Sequence, residues 1–116
     1  MKKTSIKNEI FSDLYQLIQE RKLKPSGNSY MSLLLTKGLE KIHAKISEES
    51  AELIDASHNK TRDDIIHEAA DLWFHTLMLL GYWDIPPDAV YDELIRRQGV
   101  SGLEEKAGRL KNEKSI

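Results

Sequence analysis

At 116 residues the chain has the length of one ordinary domain, and it reads as a single unit over 1–116. With 31% charged residues and a formal net charge of −2, it lacks the basic excess that nucleic-acid binding needs. It has no cysteine, which excludes disulfides, thiolate metal sites and a cysteine nucleophile, and fits a reducing, cytoplasmic compartment. Polar and acidic residues follow the start Met1-Lys2-Lys3-Thr4 closely, against a secretory signal. The longest apolar stretch, residues 72–82, contains His75 and is too short to span a bilayer.

The periodicity predicts about four helices and no strand, an all-α fold. The first covers residues 5–22, where Ile6, Ile10, Leu14, Leu17 and Ile18 form one stripe, and it stops before the turn signal Pro25-Ser26-Gly27-Asn28. The second runs over residues 30–57, with a break expected near Gly38, and carries Leu33, Leu34, Leu39, Ile42, Ile46 and Leu53. His58-Asn59-Lys60 marks a turn. Thr61 then suits the N-cap of a third helix over residues 62–83, with Asp64 three residues on and Asp63 and Asp64 at the positive helix end. The second half of that helix, Leu72 to Leu80, is apolar nearly all round and reads as buried on more than one side. Pro86 or Pro87 opens a fourth helix to residue 97, with Val90, Leu94 and Ile95 facing inward. A short element at residues 100–103 follows, and residues 1–4 and 110–116 are expected to fray. A chain this short buries only a modest core alone, so part of its apolar surface is expected to meet a second copy.

Two acidic clusters stand out, Glu48-Glu49-x-x-Glu52 and Glu68-x-x-Asp71. On a helix, carboxylates three apart are neighbours on one face. If the helices that carry them are antiparallel across the turn at His58, the clusters can face each other as a hard-oxygen cage, which suits Mg²⁺ or Mn²⁺. Helical phase puts Glu49 near the apolar stripe of Leu39, Ile42, Ile46 and Leu53, where an acid is costly unless a cation compensates it. Glu52 falls at the edge of that stripe and Glu48 nearer solvent. The alternative is a solvated acidic face, the commoner fate of such pairs.

Lys37, Lys41 and Lys45 recur at spacing four just before the acids. They suit either a cationic rail for phosphates or lysine–glutamate pairs along the helix, such as Lys45 with Glu48 or Glu49. His75 shares the face of Glu68 and Asp71, as a substrate contact, a partner of the acids or simply a hydrogen-bonded histidine. His67 falls away from the acids, and His43 and His58 read as exposed. No zinc-binding spacing is present.

The acid pattern, with fifteen residues between Glu52 and Glu68, resembles the signature of the MazG-like all-α nucleotide pyrophosphohydrolases. The flanking residues narrow the likeness. Asn28-Ser29-Tyr30, Leu35-Thr36-Lys37-Gly38-Leu39-Glu40-Lys41-Ile42, Lys45-Ile46-Ser47-Glu48-Glu49, Ile66-His67-Glu68-Ala69-Ala70-Asp71-Leu72 and the stretch 96–106 are similar to the phosphoribosyl-ATP pyrophosphatase family of histidine biosynthesis. The likeness covers about residues 11–109, the stand-alone form without a cyclohydrolase domain. Ser47, where relatives usually have glycine, and Trp73-Phe74, in place of leucine-tyrosine, are the departures, and neither touches the acids.

The resemblance implies Mg²⁺-dependent hydrolysis of phosphoribosyl-ATP to phosphoribosyl-AMP and pyrophosphate by a homodimer with a shared bundle. By matching positions it implies Glu49, Glu52, Glu68 and Asp71 as metal ligands. Glu48 would be a further ligand or orient the attacking water, Lys37 and Lys45 would contact phosphates, and Ser29 and Tyr30 would stand at the substrate mouth. Two other readings stay open: house-cleaning of dUTP or dCTP on the same scaffold, and a non-catalytic helical adaptor that dimerises through the third helix.

Overall fold

The computed structural model describes residues 3–98. They form five helices: α1 (Lys3–Leu23), α2 (Tyr30–Lys37), α3 (Leu39–Asn59), α4 (Arg62–Tyr82) and α5 (Pro87–Arg97). The all-α expectation holds, with no strand among the described residues. The count is five rather than four because Gly38 divides the expected second helix. Its φ of 93° is a left-handed conformation that glycine adopts without the clash a Cβ would bring. Gly38 N donates to Leu34 O at 2.9 Å and ends α2, while Gly38 O accepts from Ile42 N at 3.2 Å and opens α3.

α3 and α4 make the most extensive helix pairing among the described residues. Only Lys60 and Thr61 separate them, so they run antiparallel. His58 and Asn59, expected in the turn, are the last residues of α3. Thr61 caps α4 as the sequence predicts. Its Oγ1 accepts from Asp64 N, and Asp64 Oδ2 accepts from Thr61 N, both at 3.3 Å, a reciprocal box that satisfies two helix-end donors.

α1 packs across α4 and α2. Ile18, Met31, Leu34, Ile42, Leu77 and Met78 make the buried core, drawn from α1 to α4. α1 also closes the end of α4. Lys22 Nζ donates to Gly81 O (2.9 Å) and Tyr82 O (3.3 Å), and Gln19 Nε2 to Gly81 O (3.0 Å), so side chains of α1 bond the last carbonyls of α4. The helices meet so closely that a Cβ on Gly81 would lie 2.6 Å from Ile18 Cγ2. None of the described helices is long and apolar enough to cross a membrane.

Several expectations are corrected. α1 begins at Lys3, two residues before the expected start. Val90, Leu94 and Ile95 do not face inward: the last two are 58% and 64% exposed, because α5 touches the rest of the chain mainly through α1. Trp73, expected to be buried, is 60% exposed on the outer face of α4. The environment of the Ile6 side chain, the element at 100–103, the match over 99–106 and the tail 110–116 lie outside the described residues.

Candidate active site

Ile42, Glu49 and Ala56 are the buried residues of α3. They stand seven apart, two helical turns each, so the stripe that packs on α4 has an acid at its centre. Glu49 is 5% exposed. Its Oε1 lies 3.6 Å from Lys45 Nζ and 3.9 Å from His75 Nδ1 on α4, and its Oε2 is buried with no hydrogen-bond partner. A buried carboxylate oxygen with nothing to accept from is costly, and a bound cation is the usual remedy.

The other acids surround it. Glu48, Glu49 and Glu52 bring ligand atoms within 4.8 Å of one another on α3, and His67, Glu68 and Asp71 do so on α4. Each group draws on one helix, so the expected four-acid set spans two neighbouring clusters. Glu52 and Glu68 line one pocket of about 450 Å³, which brings the clusters to a common space. Glu48 and Glu52 are exposed, and Glu68 and Asp71 are partly buried. His67 joins the acids, contrary to the sequence reading: its Nε2 reaches Asp71 Oδ2 at 3.3 Å across one helical turn. The donor set is all-carboxylate with one imidazole at its margin, chemistry that fits Mg²⁺ or Mn²⁺.

The electrostatics follow from crowding. The Glu49 carboxylate beside it favours a proton on Glu52 and pushes that pKa up, with desolvation and Glu48 adding to the effect. Glu48 goes the other way, held down by its hydrogen bond to Lys45 at 2.7 Å, and the same bond raises Lys45. Lys45 is therefore the cation of the lysine–glutamate pairing. Lys37 is exposed at the end of α2 and makes no hydrogen bond or ion pair with the described residues.

His75 is buried behind the acids, and its proton can be placed. Nδ1 lies 2.8 Å from Asp71 O, a carbonyl that only accepts, so Nδ1 carries the hydrogen. Nε2 then accepts from Tyr30 Oη at 2.9 Å. Both ring nitrogens are thus engaged within the protein, which makes His75 a holder of Tyr30 and of the α4 backbone. Tyr30 stacks on Phe74 with centroids 6.1 Å apart. Burial raises its pKa, Lys45 opposes this, and Glu49, Glu48 and Asp71 add to it, so the hydroxyl faces the acid cluster as a neutral group. Ser29 serves as the N-cap of α2, its Oγ accepting from Ser32 N at 3.2 Å. That capping bond is what sets Tyr30 at the start of the helix.

Asp55, Lys60 and Asp64 line the same pocket as Glu52 and Glu68 and fall outside the site residues that the sequence marks. Asp55 lies three after Glu52, and Asp64 four before Glu68, so the helical spacing of the acids already extends to them. Lys60 sits in the two-residue turn that joins the helices.

Fold and site together define an all-α enzyme that gathers carboxylates on an antiparallel helix pair. Comparison with known proteins resolves the class further. Residues 11–98 match the family described as phosphoribosyl-ATP pyrophosphohydrolase, and the chain belongs to that family. A phosphoribosyl-ATP pyrophosphatase of Geotalea daltonii is 50% identical over 102 residues, 88% of this chain and 96% of its own. One of Geobacter metallireducens is 47% identical over 105 residues, 90% and 96% of the two chains. One of Neisseria meningitidis is 45% identical over 102 residues, 88% and 95%.

Proposed function

We propose that the chain hydrolyses phosphoribosyl-ATP to phosphoribosyl-AMP and pyrophosphate, a step of histidine biosynthesis, with Mg²⁺ and with Mn²⁺ as a substitute. The names of the relatives support the substrate. The observation that carries the metal chemistry is the buried, unpartnered Oε2 of Glu49 between two groups of acids.

Glu49, Glu52, Glu68 and Asp71 would hold the metal, and Glu48 stands beside them. Bound there, Mg²⁺ supplies charge neutralisation for the triphosphate and lowers the pKa of water. Water adds to the α-phosphorus, the bond from that phosphorus to the bridging oxygen breaks, and pyrophosphate leaves with the electron pair. A carboxylate of the cluster accepts the proton of the water. Lys45 offers positive charge at the edge of the acids, and Lys37 on α2 is a second candidate for a phosphate contact. Tyr30, oriented by His75, Ser29 and Phe74, gives its one proton to His75 and offers its hydroxyl oxygen to the substrate as an acceptor. No covalent nucleophile is required, since phosphoryl transfer of this kind rests on positioning and electrostatics.

The functional unit in this reading is a homodimer. Trp73, Val90, Tyr91 and Leu94 line, with Phe11, an open apolar pocket of about 420 Å³. Exposed apolar surface of this continuity marks an interface. A second copy would cover it through α4 and α5. We assign the cytoplasm as the compartment on the same reading, because the substrate derives from ATP.

The test is pyrophosphate release from phosphoribosyl-ATP, beside ATP, dUTP and dCTP, with Mg²⁺ and with EDTA. Magnesium-dependent release from phosphoribosyl-ATP is expected. Release from dUTP or dCTP alone would keep the chemistry and discard the substrate. No release from any of them by a folded dimer would favour the adaptor.

A further inference from the structure

A second polar pocket, of about 410 Å³, opens where the end of α1, α2 and the end of α4 meet. It shares no lining residue with the acid site. Arg21, in the last turn of α1, lines it together with Ser32, Thr36 and Tyr82. Arg21 Nε is buried without a hydrogen-bond partner, and its guanidinium forms no ion pair with the described residues.

Arg21 differs in this from three other cations of the chain. Lys22, next in the chain, is committed to Gly81 O, Tyr82 O and Asp84. Lys45 is committed to Glu48 and Glu49, and Arg97 to Glu93. The negative end of α1 favours a cation at position 21, but that attraction supplies no acceptor for Nε–H. The neighbouring groups are donors too. Ser32 Oγ accepts from Ser26 N at 2.8 Å, which leaves its own proton to give. The hydroxyls of Thr36 and Tyr82 make no hydrogen bond with the described residues. None of the residues lining the pocket is acidic.

A rigid fork of N–H donors, in a pocket that three hydroxyl-bearing residues also line and that has no carboxylate among its lining residues, is complementary to a tetrahedral oxyanion. The geometry points to a phosphate-ester site, in which Arg21 takes two oxygens and the hydroxyls of Ser32, Thr36 and Tyr82 donate to the others. Two sources offer that chemistry: the phosphate at the end of the substrate's phosphoribosyl arm, which rests on the function proposed above, or a free sugar phosphate.

The experiment follows the Arg21 Nε–H and Thr36 amide signals by NMR while ribose 5-phosphate is added to the wild-type protein and to R21Q. Ribose is the uncharged control. Saturable shifts of both signals with ribose 5-phosphate and none with ribose are expected. R21Q should weaken the Thr36 response about tenfold or more, and R21K, which keeps the charge but not the fork, should restore only part of it. No saturable shift in the folded wild type, or an equal Thr36 response in R21Q, overturns the site. Steady-state kinetics separates the sources. A KM for phosphoribosyl-ATP raised about tenfold in R21Q, with kcat within about twofold, assigns the site to the substrate's arm. Unchanged KM alongside ribose 5-phosphate binding assigns it to a free ester and overturns the arm. A wild-type protein that binds ribose 5-phosphate but does not turn over phosphoribosyl-ATP would count against the proposed function and leave the site standing.

Discussion

Glu49→Gln keeps the shape of a buried side chain and removes its charge. In the protein without metal, Oε2 has no hydrogen-bond partner, a loss of about 1–3 kcal/mol for a buried acceptor of this kind. Against this stands the pair with Lys45 at 3.6 Å, whose lysine is partly exposed, worth about 0–1 kcal/mol. The glutamine amide can donate to the neighbouring Glu48 and Glu52 carboxylates, whose oxygens lie within 4.8 Å, so the balance predicts that E49Q is more stable than the wild type in EDTA, by about 1 kcal/mol. Magnesium should reverse the order. A ligand at a hundredfold its Kd stabilises the folded state by about 2.7 kcal/mol, and E49Q should gain little or none of it. Urea melts of both proteins in EDTA and in saturating Mg²⁺ measure the four values. An E49Q protein that is less stable than the wild type in EDTA and gains as much from Mg²⁺ would refute both the orphaned charge and its role as a ligand.

Tyr30→Phe removes the donor to the buried Nε2 of His75, so the fold should lose about 1–2 kcal/mol in a urea melt, and kcat should fall with it; unchanged stability would deny the hydrogen bond. Gly81→Ala puts a Cβ at 2.6 Å from Ile18 Cγ2. Overpacking of that kind costs about 1–3 kcal/mol, and Ile18→Leu, which removes that methyl, should recover part of the loss in a double-mutant cycle. Glu93, held at about 2 by Arg96 and Arg97, has a folded pKa below its ordinary value of 4.5. Its contribution to α5 is therefore present above pH 4.5 and lost as pH falls toward 2. E93Q should lower the thermal midpoint at pH 7 and make no difference at the acid end of that window.

Much of the site was legible because helical spacing is a geometric constraint. Glu49 lies seven residues from Ile42, so its burial could be read from the sequence, and Thr61 with Asp64 announced the start of α4. Other features depend on partners that no local pattern names. The angle of His67 on the helix points it away from the acids, yet its ring reaches Asp71 one turn on. Val90, Leu94 and Ile95 carry an inward-facing period that residues 3–98 do not cover. The sequence marks which residues avoid water, and the structure shows that the surface able to cover these three is not within residues 3–98. Lys60 and Arg21 matter through what surrounds them in space, and neither sits in a pattern that would single it out.

The exposed ring of Trp73 turns the outer face of α4 into an optical gauge. The chain has two tryptophans, and both stand in solvent, at 60% and 58% exposure. Only Trp73 lines the apolar pocket, while Trp83 stacks edge-on against Tyr82 beyond it. Covering that pocket would shift the emission of one fluorophore to shorter wavelength and leave the other as an internal reference. Dilution of the unlabelled protein, with W83F and W73F to separate the two signals, would then report the strength of self-association without any added dye.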